Sequence, residues 1–80
     1  MNRKEAEKLY SKLHNIFYKS KISRDYATAA KALVEMLNIA KILKDKGKKE
    51  EVLKHWTHLQ MEMSPGNVEP FQEQIDKILN

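Results

Sequence analysis

Apolar residues recur at helical spacing along nearly the whole chain. Ala6, Leu9, Tyr10, Leu13, Ile16 and Phe17 fall at i, i+3, i+4 and i+7, which predicts an amphipathic helix over about 3–20. Asn2 suits the N-cap position, and Glu5, three residues on, completes a capping box. Tyr18 lies off the apolar stripe and is expected at the surface. Residues 19–23 read as a short connection. Ser23 is the expected N-cap of the next helix, with Asp25 in a first turn where negative charge suits the helix dipole.

The second predicted helix, about 24–46, is the central element. Tyr26, Ala30, Leu33, Val34, Leu37 and Ala40 mark one face, and Ala29, Ala32, Met36, Ile39 and Leu43 mark the adjoining one. Only Thr28, Lys31, Glu35 and Asn38 form a clear polar strip. A helix apolar over so wide an arc must touch more than one neighbour, and its alanines permit close approach. Gly47 is the expected stop, being the favoured residue just past a helix end. A third helix, about 48–63, carries Val52, Leu53, Trp56, Leu59 and Met63 on one stripe. Ser64-Pro65-Gly66-Asn67 then has the composition of a type II turn. A fourth, about 68–79, carries Val68, Phe71, Ile75, Ile78 and Leu79, with Asn67 as N-cap and Pro70 in its first turn. The expected fold class is all-α, a small antiparallel three- to four-helix bundle in which residues 1–80 make one helical domain.

Composition narrows the reading. Eighty residues bury only about 60–65% of their unfolded surface, so the core is thin. The absence of cysteine excludes a disulfide framework and a thiolate zinc site. No apolar run is long enough to span a bilayer, and no secretory leader is recognisable, so a cytoplasmic protein without membrane contact is expected.

Charge changes the picture more. Residues 1–49 hold 13 Lys/Arg against 5 Asp/Glu, a net of +8, whereas residues 50–80 hold 2 against 6, a net of −4. Up-and-down topology would gather Arg3, Lys4 and Lys8 with Lys41, Lys44, Lys46, Lys48 and Lys49 at one end. Such a pole suits nucleic acid or an acidic partner. The competing reading is a solvated loop with lysines that favour helix ends. The cations are nearly all lysine, which favours phosphate-backbone attraction over base reading. Aromatic residues near the pole are too few for a base-stacking platform.

Glu51, His55, His58 and Glu62 line one strip of the third helix. Imidazole and carboxylate ligate zinc, so His55 and His58 are candidate ligands. The plainer reading is a column of Glu–His pairs on a solvated face. A rigid site needs a donor from another element, and His14 has no partner evident from spacing. No metal or other cofactor is therefore expected. No nucleophile elbow, triad setting or glycine-rich phosphate loop occurs, so no enzymatic activity is expected.

The segment Arg24-Asp25-Tyr26-Ala27-Thr28-Ala29-Ala30-Lys31-Ala32-Leu33, followed by Leu37 and Ala40, is similar to a helix of phage terminase small subunits. The likeness covers about 17 of the 80 residues. The DNA-binding helix-turn-helix that many of those subunits carry ahead of it is absent here, and no functional residue is carried across.

The expected function is that of a non-enzymatic protein-binding module: an adaptor, inhibitor or regulatory subunit. Tyr18, Val68, Phe71, Ile75 and Ile78 are the candidate interface residues. A homodimer formed by exchange of the fourth helix is compatible with the pattern. The alternative is a nucleic-acid-associated protein that uses the lysine-rich pole non-specifically, such as a phage or bacterial DNA-transaction accessory protein.

Overall fold

The computed structural model describes residues 2–63 and 68–80. Four helices follow one another: α1 (Arg3–Ile22), α2 (Tyr26–Leu43), α3 (Lys46–Glu62) and α4 (Glu69–Leu79). No strand occurs among the described residues. The expected all-α bundle is therefore the observed one.

α2 is the hub. Only its pairings with α1, α3 and α4 bring helix backbones within 8 Å between Cα atoms. Its alanines make this possible, since Ala29, Ala30, Ala32 and Ala40 are all buried. Around them gather Phe17 and Leu13 of α1, Leu33, Met36 and Leu37 of α2, Val52, Trp56 and Leu59 of α3, and Ile75 of α4. α4 contributes one buried side chain. Its Phe71 and Ile78, and Val68 just ahead of it, pack against the core in part. The Trp56 indole N–H donates to Gln72 Oε1 at 2.7 Å, and Gln60 donates to the same oxygen at 3.0 Å.

The helix ends depart from expectation, and in the same way twice. Ser23 does not cap α2, because α1 continues to Ile22 and Ser23 closes it. Arg24 takes a left-handed conformation (φ 63°), and the Asp25 N–H reaches back to the Ser20 carbonyl at 2.8 Å. α2 ends at Leu43, ahead of the predicted 46. Lys44 is left-handed (φ 55°), and the Asp45 N–H donates to the Ala40 carbonyl at 3.0 Å. Both are Schellman closures built without glycine.

In each case the next residue is an aspartate that caps the following helix. Asp25 accepts from the Thr28 N–H (3.3 Å) and hydroxyl (2.7 Å), and Asp45 accepts from the Lys48 N–H (3.1 Å). These bonds hold both carboxyls below the usual carboxylate range, the Thr28 hydroxyl being the main cause for Asp25 and the Lys48 N–H for Asp45. Gly47 therefore does not stop α2 but lies in the first turn of α3. A Cβ there would sit 3.3 Å from the capping Asp45 Oδ1, so its bareness leaves room for the cap. α4 starts at Glu69 after Val68, without a side-chain cap and with Pro70 in its first turn. The predicted 64–67 turn and the Asn67 cap lie outside the described residues.

Two members of the predicted α1 stripe are not core. Leu9 is 37% exposed and Ile16 45%. The neighbours of α1 cover the side bearing Ala6, Tyr10, Leu13, Phe17 and Ser20, and the flank carrying Leu9 and Ile16 stays wet.

Candidate functional site

α1 and α3 run parallel, both packed on α2, and their side chains meet across a seam. The register is constant. Tyr10 reaches Glu51, His14 faces His55, and Lys21 approaches Glu62, each pair 41 residues apart. Both helix starts therefore lie at one end of the bundle, next to the end of α2. Lys41 Nζ donates to the Ile78 carbonyl at 2.8 Å, which brings the end of α4 there as well. Antiparallel packing of α4 on α3, fixed by Trp56 and Gln72, agrees with this.

That end carries the predicted basic residues. Arg3, Lys4, Lys8, Lys41, Lys44, Lys46 and Lys49 are exposed, and Lys48 is half-buried. Arg3 pairs with Glu7 at 3.4 Å and Lys48 with Asp45 at 3.1 Å. Lys41 satisfies the end of α4, where a cation suits the negative pole of the dipole. Lys4, Lys8, Lys44, Lys46 and Lys49 have no ion-pair partner among the described residues. Three large apolar side chains are exposed at the same end: Leu9, Ile42 (58%) and Leu79. Ile42 is the penultimate residue of α2 and Leu79 the last of α4, and both face outward.

Of the predicted interface residues, Ile78 lies at this same end. Ile75 is 1% exposed and belongs to the core of its own chain. Val68, Phe71 and Ile78 are partly covered by the same core. Tyr18 is exposed, as expected, and lies against the seam, with its ring 4.8 Å from His14 and 6.0 Å from His55.

The seam holds what spacing alone did not reveal. His14 Nε2 is 3.6 Å from Glu51 Oε1, and the rings of His14 and His55 are 5.8 Å apart. The Tyr10 hydroxyl donates to the same Glu51 oxygen at 3.0 Å. Burial, and then the bond to Glu51, push the Tyr10 phenol well above its ordinary range, so it stays protonated and donating. Burial pushes the His55 imidazole below its ordinary value, against the pull of Glu51. His58, the second histidine of the predicted strip, is exposed and stands outside this group. His14 was legible as a lone histidine, but its partnership needs the register between two helices that are not neighbours in sequence.

No helix among the described residues is long and apolar enough to cross a membrane. Comparison of the chain with protein-family models, curated proteins and solved structures finds no match.

Proposed function

We propose that this chain is a non-enzymatic, cytoplasmic binding module whose basic end docks an acidic, partly apolar surface of a protein partner. The observation that carries the reading is the mixture at that end: unpaired lysines interspersed with exposed Leu9, Ile42 and Leu79. Apolar contacts within a charged rim are the composition of a protein interface. A phosphate backbone would use the lysines and leave the apolar side chains idle. Glutamates among the lysines, Glu5, Glu7 and Glu50, also fit a patterned protein surface better than a uniformly negative one.

Two variants test the reading: Ile42→Asp, and the combined Lys44→Glu, Lys46→Glu and Lys49→Glu. All four positions are exposed, so the fold should survive, which circular dichroism checks. Affinity capture from native cells should retain a protein that both variants lose. Capture unchanged by either variant defeats the proposal. Duplex DNA and RNA titrations supply the contrast. Binding that falls steeply with salt, vanishes on charge reversal and survives Ile42→Asp would assign the end to nucleic acid instead. Light scattering shows whether the partner is a second copy of the chain.

A further inference from the structure

A metal ion needs donors that converge from more than one element, and the α1/α3 seam supplies them. His14 comes from α1, while Glu51 and His55, one helical turn apart, come from α3. One ligand atom from each lies within 4.8 Å of the other two, so a point within about 2.8 Å of all three exists. Zinc–nitrogen and zinc–oxygen bonds are about 2.0–2.2 Å. Each donor therefore has to close by less than about 1 Å, a movement open to side chains that are only partly packed.

The surroundings suit such an ion. Glu51 is already oriented by the Tyr10 hydroxyl, the kind of outer hydrogen bond that fixes a liganding carboxylate. Lys48 and Lys21, which border the group, are engaged: Lys48 with Asp45 at 3.1 Å, and Lys21 near Glu62 at 4.0 Å. An open groove lined by Tyr10, Ser11, Asn15 and Lys48 runs past His14 and Glu51, leaving room for water in the remaining coordination positions. Two imidazoles and one carboxylate suit borderline first-row ions, whereas Mg2+ and Ca2+ prefer oxygen-only cages.

We propose that His14, Glu51 and His55 bind a first-row divalent transition-metal ion, and that the ion staples α1 to α3. These two helices otherwise meet only through side chains, their Cα atoms staying more than 8 Å apart.

The probe is Zn2+, titrated calorimetrically into tag-free protein, with Mg2+ as control. One equivalent of Zn2+ should bind and raise the melting temperature, and Mg2+ should do neither. His14→Gln and His55→Gln should each abolish binding at micromolar Zn2+, and His58→Ala should leave it intact. In the wild-type protein, the ring signals of His14 and His55 should shift together on adding Zn2+ while those of His58 stay in place. This NMR readout decides the matter even if a histidine variant folds poorly. Absence of Zn2+ binding overturns the proposal. So does binding that His58→Ala destroys and His14→Gln spares, which would put the ion on α3 alone.

Discussion

The packing around α2 and the seams that close without it are built from different materials. Against α2 the contacts are dry and close, its alanines, Leu33 and Met36 sharing one core with Phe17 of α1 and Leu59 of α3, with the helix backbones near one another. Across the α1/α3 and α3/α4 seams the backbones stand apart, and polar side chains span the gap: Tyr10 bonded to Glu51, His14 facing Glu51, and Trp56 bonded to Gln72. In a chain with one thin core, a single wide-faced helix supplies the cohesion. The remaining contacts are then released from tight packing and can carry ionisable groups.

The sharpest way to break this contrast is to cut into each kind of contact and compare the losses. Phe17 is fully buried in the core built on α2, where its ring also meets His55, so Phe17→Ala should cost about 3–5 kcal/mol in urea denaturation, enough to leave so small a bundle largely unfolded. At the α3/α4 seam, Gln72→Ala removes the acceptor of the Trp56 indole N–H. It should cost about 1–2 kcal/mol, read as a lower melting temperature with unchanged helix content. The smallest loss is expected from Tyr10→Phe, about 0.5–1 kcal/mol by the same measurement, because Glu51 is half-exposed and finds water in place of the phenol. If Tyr10→Phe proved as damaging as Phe17→Ala, the division into a dry hub and polar seams would fail.

Much of this architecture was legible in the chain. Helical spacing located four helices, and the breadth of the apolar arc on residues 26–43 marked α2 as the element with several neighbours. Alternating helix direction placed the starts of α1 and α3 together. Helix ends were less legible, because the left-handed seats that close α1 and α2 are filled by Arg24 and Lys44 rather than glycine. Periodicity also draws a stripe without saying how much of it will be covered, which is why Leu9 and Ile16 were expected inside. The His14 site was least legible. Its donors belong to helices whose relative height is set by what both pack against on α2, and no local pattern on either helix encodes that height.

The hub arrangement also bears on how the chain reaches its native state. α1 with α2, and α2 with α3, are pairings between consecutive elements, each joined by a connection of two or three residues. Neither requires a distant part of the chain to be found first. The return of α4 to α2 closes a long loop across the whole of α3, and the side-chain seam between α1 and α3 closes another across α2. A topology so dominated by nearby partners belongs to the fast end of the folding spectrum. The docking of α4 rests on one fully enclosed isoleucine and a shared glutamine oxygen, so this helix is the one expected to open first in native-state hydrogen exchange.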